Sequence, residues 1–462
     1  MSVTVPLALF GWIPFTLLLF MAWPRPRAAI MGFLGAWMFL PDAGYAIPGL
    51  PDYTKATAAT YGVLLASLIF DRDRLLSYRP SLFDIPMAVW CLCPLASSMT
   101  NGLGAYDGVS GIVERTLLWG LPYWLGRVYV RNAEDLRETA FCLFVAGLVY
   151  VPLCLFEVRM SPQLNPWIYG FGGGRVAYAE ELGKWGSRPR VFMGTALTLG
   201  MFMTAASLAG FWLWFTGGLK RVWGCSGGWL VTILIVTAIM CKNFGALALL
   251  AAGLACLLSI RYLNTAIAVY LLVGAAPLYM VARGTGRMSG DAMVSFVQGI
   301  HQTRAESLQV RLDNENRLVE KAMQQPFFGW GGWGRSRVYN DEGKDITLTD
   351  GLWVIALGQN GLVGLGAITA TLLCPVIAFI RRYPPRQWLR PTVAPGGVLA
   401  VLVSLYMIDC LFNAMLNPIY LLVLGGLVCA AVRRSPVPLA AGMSAVHVGS
   451  RYGVGGSRFR AI

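Results

Sequence analysis

Histidine is nearly missing from this chain. Only two occur among 462 residues, His301 and His447, which excludes a histidine-rich metal centre. Charge is scarce as well: 13% of residues are charged, against about 25% in an ordinary soluble protein. Long apolar runs fill the space that charge leaves, so the chain reads as a polytopic helical membrane protein. Acidic charge is the scarcer sign, with 23 Asp and Glu against 37 Lys and Arg. The net charge of +14 would suit nucleic acid, but most basic residues sit in short loops between apolar runs, where they orient the spans. Nucleic acid is therefore set aside as a partner. No positive charge precedes the first apolar run, so a cleavable signal is not expected, and the first span reads as retained with its N-terminus outside. The ten cysteines form no framework. Cys91, Cys93, Cys142, Cys154, Cys256, Cys374, Cys410 and Cys429 lie inside apolar runs. The Cys91-Leu-Cys93 pair could serve a soft metal; packing is the simpler account, because buried free cysteine behaves as a small hydrophobe.

The apolar runs predict an all-α fold of about thirteen spans, each near 20 residues or shorter. They lie near 5–22, 28–41, 56–70, 81–97, 109–126, 138–157, 191–216, 227–240, 244–259, 264–282, 350–380, 396–413 and 416–432. Arg25 and Arg27, Arg72, Arg74 and Arg79, Arg127, Arg131 and Arg137, Lys220 and Arg221, Arg261, Arg381, Arg382, Arg386 and Arg390, and Arg433 and Arg434 then fall on one side, the cytoplasmic one by the positive-inside rule. The organisation is a first helical block over 1–282, a large outer loop over 283–349, C-terminal spans over 350–434 and a tail over 435–462. The tail is rich in Gly, Ser and Arg; it is expected to be disordered and to suit an anionic inner leaflet. No internal repeat stands out.

Two outer loops carry arginine where the rest of that face avoids it. Loop 158–190 holds Arg159, Arg175, Lys184, Arg188 and Arg190; loop 283–349 holds Arg283, Arg287, Arg304, Arg311, Arg317, Lys321, Arg335, Arg337 and Lys344. Guanidinium held beside a bilayer needs an anionic partner, and its planar fork matches phosphate. In the larger loop, 303–325 reads as a surface helix with Leu308, Leu312, Val319, Ala322 and Met323 near one stripe. Arg304 and Arg311 share a face of it, and Arg311 can pair with Glu315 one turn on. Pro326 ends the helix. The Phe-Phe-Gly-Trp-Gly-Gly-Trp-Gly stretch that follows can approach a ligand through its glycines and offer bare amides to an anion, or make a tight turn at the surface. Asp350 opens the next span, either as a helix cap or as a proton acceptor at the membrane mouth. Glu114 and Arg115 lie inside a span, where ionisable groups usually face inward and pair; they bind substrate or lock two spans.

The order from Arg311 onward is an arginine, an amphipathic helix, Pro326-Phe-Phe-Gly329-Trp-Gly331, a polar stretch, then Asp350 and, after ten residues, Gly361-Leu-Val-Gly364. This resembles the bacterial O-antigen ligase and O-antigen polymerase superfamily. Ligases of that family carry a histidine where Asp350 stands here. Arg304-Ala-Glu-Ser-Leu308 fits the family's Arg-x-x-x-Leu pattern, although Arg311 sits better relative to the Pro-x-x-Gly segment. The segment RPRVFMGTALTLG places Arg188 or Arg190 at a family arginine before a middle span, and Glu114 to Arg127 is similar to a span of its relatives. The resemblance implies a multi-pass protein of the bacterial inner membrane, with its N-terminus outside and its C-terminus cytoplasmic. It implies transfer of a glycan from polyprenyl (undecaprenyl) pyrophosphate to a glycan or lipid acceptor hydroxyl on the periplasmic side, with inversion and without a metal or other cofactor. On that reading Asp350 is the base, with Glu315 and Glu320 as reserves, and Arg311 and Arg304 stabilise the leaving diphosphate. Arg188, Arg190, Arg317, Gly329, Gly331, Glu114 and Arg115 bind substrate, and membrane lipids surround the polyprenyl tail. A transporter or channel for an anionic solute and a scaffold for an envelope complex are the competing expectations.

Overall fold

The computed structural model describes residues 2–171, 182–183, 186–299 and 302–432. The expectations for Arg175, Lys184, His301, Arg433, Arg434, His447 and the tail 435–462 fall outside these residues. The first half runs α1 (Thr4–Ala22), α2 (Arg25–Phe39), a hairpin of β1 (Gly44–Ile47) and β2 (Leu50–Thr54), α3 (Lys55–Phe70), α4 (Arg72–Leu76), α5 (Ile85–Thr100), α6 (Ala105–Arg115), a π-helical turn (Thr116–Gly120), α7 (Leu121–Tyr129), α8 (Ala133–Met160) and α9 (Leu164–Tyr169). The second runs β3 (Leu182–Gly183), β4 (Gly186–Ser187), α10 (Ala196–Phe215), β5 (Arg221–Val222), β6 (Cys225–Ser226), α11 (Gly227–Met240), α12 (Phe244–Tyr262), α13 (Ile267–Gly284), α14 (Asp291–Gln298), α15 (Gln302–Ala322), α16 (Leu352–Arg382), α17 (Ala394–Phe412) and α18 (Pro418–Val432). Local chemistry fixes several helix starts. Asn132, Thr195, Ser226 and Asn243 each accept a backbone N–H from the first turn of α8, α10, α11 and α12, satisfying a donor that the helix itself leaves open.

Helix stands at every position where the apolar runs predict a span. Eight helices among the described residues are long and apolar enough to cross a membrane, and α3, α11 and α18 are shorter apolar helices. The other two differ from a simple span: α2 has 15 residues, and the segment 105–129 is interrupted by the π-helical turn after Arg115. α10 and α17 form the centre, with 83% of each apolar window buried inside the protein, whereas α1 and α13 lie at the periphery with 33%. α7 and α18 touch backbone to backbone, since a Cβ on Gly126 would lie 2.2 Å from the Leu422 carbonyl oxygen; small residues permit such contact where no water drives helices together.

Polar contacts sort into two sets. At the arginine-rich end Arg27 meets Glu138, Arg127 meets Asp84 at 3.0 Å, Arg131 Nη2 donates to the Arg74 carbonyl at 2.7 Å and Arg382 Nη1 to the Ala431 carbonyl at 3.4 Å. At the other end Thr4 donates to the Ile168 carbonyl at 2.6 Å, Lys55 meets Asp42 at 3.3 Å and Arg283 meets Glu315 at 3.3 Å. Every pair joins segments that the alternation of spans assigns to the same end. Residues 285–299 and 302–351 lie at this second end, called the loop end below.

α16 departs most from expectation. It is broken at Gly361, whose φ of 64° and ψ of −164° are not helical. The break frees backbone groups inside the apolar zone, where each unsatisfied one would cost several kcal/mol. The loop after Pro326 fills it. Trp330 N–H donates to the Gly358 carbonyl at 2.8 Å, Gly331 N–H to Gln359 at 3.0 Å, Leu362 N–H to Pro326 at 2.7 Å and Val363 N–H to Phe327 at 3.2 Å. Ser97 on α5 donates to the Phe328 carbonyl, and Asn101 donates to that of Gly329 at 2.7 Å. The glycine-tryptophan stretch is thus a backbone plug in a broken helix.

Candidate functional site

The site at the loop end is built by α15 lying against α13, α16 and α17. Its buried face holds Ala305, Leu312, Glu315, Leu318 and Ala322. Leu318 takes the place expected for Met323, which is exposed, because α15 ends at Ala322 and the chain turns there. Glu315 does not pair with Arg311. Its Oε2 accepts from Tyr279 Oη at 2.7 Å and from Arg283 Nε at 3.3 Å, and its Oε1 from Trp353 Nε1 at 3.2 Å. Arg283 also donates to the carbonyls of Met288, Ser289 and Leu312 at 2.8–2.9 Å. Burial raises the Glu315 pKa above its ordinary value, and the bonds from Tyr279, Trp353 and Arg283 pull against that rise. This carboxylate anchors α15 and has no open side for a substrate proton, which corrects its standing as a reserve base.

One turn earlier, Arg311 is half-exposed. Its Nε lies 3.5 Å from Asp350 Oδ2, and its Nη1 donates to the Phe412 carbonyl at 3.5 Å. Asp350 is not a helix cap: Gly351 occupies that position and no side chain caps α16. Gly351 lets the chain press onto the end of α17, since a Cβ there would stand 2.3 Å from the Leu411 carbonyl oxygen. That approach delivers Asp350 to Phe412 and so to Arg311. A third charged group lies close by. Asp409, near the loop end of α17, accepts from Asn413 Nδ2 at 2.9 Å, its Oδ2 is buried without a partner, and the Arg311 charge acts on it. Asp409 is absent from the residues expected at the site, although a lone carboxylate in the run VLAVLVSLYMIDCLF is itself a signal. The pair Arg311–Asp350, with Asp409 behind it, can hold an anion on one side and accept a proton on the other.

The remaining candidates divide. Arg304 lies on α15, and its side chain falls outside the described set. Arg317 is exposed, on the solvated side of α15. Arg190 is buried, and its N–H and that of Val191 donate to Glu157 Oε2 at 2.8 and 2.7 Å. Val191 has a φ of 55°, a strained conformation for a β-branched residue, held by that same carboxylate. Arg188 is half-buried in the same segment. The segment leads into α10, where Thr198 contacts Met415 Sδ at 3.2 Å, so it borders the α17–α18 connection that also meets Arg311.

Gly329 and Gly331 do not offer bare amides. Their N–H groups donate to the carbonyls of Gln325 and Gln359, both at 3.0 Å. Gly329 has a φ of 69°, and a Cβ there would stand 2.6 Å from the Gly358 carbonyl oxygen; its close approach is to α16 and not to a ligand. Glu114 and Arg115 also separate. Glu114 is exposed, and no ion pair joins the two among the described residues. Arg115 Nη2 donates to Gln359 Oε1 and, at 3.3 Å, to Asn360 Oδ1, and its guanidinium lies 4.2 Å from the centre of the Trp90 ring. Gln359 is nine residues beyond Asp350, about 13 Å along α16 and half a turn round. Arg115 therefore belongs to the α5–α6 side of α16, away from Arg311. An apolar pocket in the core, lined by Leu34, Trp37, Phe202, Leu399 and Tyr420 among others, holds none of these residues; the Arg311 and Asp350 side chains, 31% and 43% exposed, lie at the surface. The chain matches no protein-family model and no curated protein.

Proposed function

We propose that this protein transfers a glycan from a polyprenyl-diphosphate carrier to an acceptor hydroxyl, in a ligase-like or polymerase-like reaction at the loop end. On this reading the loop end faces the periplasm of a bacterial inner membrane. The observation that carries it is the half-exposed Arg311–Asp350 pair, seated where a surface helix meets a span. It joins the two residues that the resemblance to the O-antigen ligase and polymerase superfamily singles out.

The chemistry follows from that pair. Asp350 accepts the proton of the acceptor hydroxyl, whose oxygen attacks the anomeric carbon. The bond from that carbon to the diphosphate oxygen breaks with inversion, and the electron pair leaves with the diphosphate. Arg311 donates to those oxygens as their charge grows; removing one such donor costs about 10²–10³-fold in rate. The products are the glycosylated acceptor and the polyprenyl diphosphate. The proton on Asp350 then passes to solvent, since that side chain is 43% exposed.

The test is to express Arg311→Ala and Asp350→Asn in cells lacking the wild-type protein, then follow envelope polysaccharide by gel and the lipid-linked donor by extraction. Loss of the polymer or the capped product, with the donor accumulating at normal protein level, is the expected result. Unchanged glycans with altered uptake of an anionic solute would overturn the reading in favour of transport. Transport is the second reading because α16 is broken at Gly361, beside the two residues that Arg115 contacts, and broken helices are common at transporter binding sites.

A further inference from the structure

We infer that Arg115 is the seat for the phosphate group of a membrane lipid, entering sideways between α6 and α16 and independent of the Arg311 site. The guanidinium is held on two sides and open on a third. The Trp90 ring covers one face at 4.2 Å. Gln359 and Asn360 fix Nη2 through side-chain oxygens. Among the described residues no acceptor meets Nε or Nη1, so three of the five N–H donors remain open. Its fixed partners are all neutral. The nearest carboxylate in sequence, Glu114, acts on it electrostatically but forms no ion pair with it among the described residues. A cation held inside the apolar zone with neutral partners is costly until an anion joins it.

The surroundings specify how that anion arrives. Arg115 ends α6, about 15 Å from the start of that helix and so near the middle of a bilayer core about 30 Å thick. The π-helical turn follows it directly, and Gly361 breaks the facing helix. Val113 on α6 and Leu362, Val363 and Phe327 at the break in α16 are exposed apolar side chains, a surface for acyl or prenyl chains and not for water. The loop plug closes the approach from the loop end, because Phe328 and Gly329 are tied to Ser97 and Asn101. A phosphate carried on a lipid reaches the open donors from the side, and its tail packs on the exposed apolar positions.

The purified full chain in lipid nanodiscs tests this, with retained lipid measured by native mass spectrometry. The probes are a polyprenyl diphosphate, phosphatidylglycerol and inorganic diphosphate. Arg115→Met should lower retention of the phosphate lipids about tenfold or more, as expected for losing a charge-assisted contact. Arg115→Lys should restore part of it, and Glu114→Gln should raise it. Should Arg115→Met fail to fold, Gln359→Glu decides the matter, since it sets a carboxylate against the guanidinium and should weaken retention as well. Arg311→Ala should leave retention of phosphatidylglycerol unchanged, even where it lowers that of the polyprenyl diphosphate, which separates this seat from the transfer reading. Equal retention by the wild type and the Arg115 and Gln359 variants would overturn the inference. So would displacement of the lipids by equal concentrations of inorganic diphosphate, which would make the seat one for a free anion.

Discussion

Replacing Gly361 by alanine sets two readings of α16 against each other. If α16 were an unbroken apolar helix, alanine would be the better helix former and would stabilise it by about 1 kcal/mol. The broken helix predicts the opposite sign. At φ 64° and ψ −164° a side chain is strained, and the new Cβ would lie 2.2 Å from the Phe327 carbonyl oxygen and 2.5 Å from the Phe328 nitrogen. Both contacts are with backbone, so no side-chain rotation relieves them. The residue strain costs about 1–3 kcal/mol. Pushing the plug out forfeits four backbone hydrogen bonds between 326–331 and α16, each contributing about 1 kcal/mol net. The expected loss is on the order of 5 kcal/mol, partly offset if α16 straightens. Equilibrium unfolding in mixed micelles measures the loss, and thiol labelling of a Phe328→Cys variant in both backgrounds reports whether the plug has left. A Gly361→Ala protein as stable as the wild type or more so, with the introduced thiol equally protected, would refute the plugged-break account.

Arg283→Met should destabilise the protein by about 3–5 kcal/mol because it strands the buried Glu315, and Arg283→Met with Glu315→Leu should recover most of that loss; unfolding of the wild type and the two variants measures it. The turn 337–347 should loosen in acid. Burial alone would raise the Asp345 pKa, but the bonds from Arg337 and Thr347 outweigh it and hold the carboxyl below its ordinary 3.8, so the stability it contributes is present above that value and fades as pH falls through the lower folded one. Protease sensitivity of the loop against pH checks this, and Asp345→Asn should remove the acid transition.

The helices and their alternation were legible because a membrane leaves the sequence few choices: apolar length sets the spans and arginine sets their ends. That Arg311 and Asp350, 39 positions apart, belong to one site was legible only through the resemblance, and that they pair was not legible at all. What escaped was decided by competition between long-range contacts. Arg311 and Glu315 stand one turn apart, a spacing that contributes only about 0.3–0.5 kcal/mol at a surface. Arg283, 32 residues away, wins Glu315 because burial makes a neutral or open partner far more costly there, and Tyr279 and Trp353 complete the set. Gly361-Leu-Val-Gly364 likewise reads as more of the same helix, since a lone glycine costs a helix only about 1 kcal/mol. The signal lies elsewhere, in Gly329 and Gly331, whose freedom serves the approach to α16 and not an anion. A loop and a break satisfy each other's backbone, and neither segment alone reveals that the other needs it. Arg115 gains its weight on the same ground: it bonds Gln359 and Asn360 directly before the break at Gly361, where α16 stops running as a helix, and that is where a polar headgroup can follow.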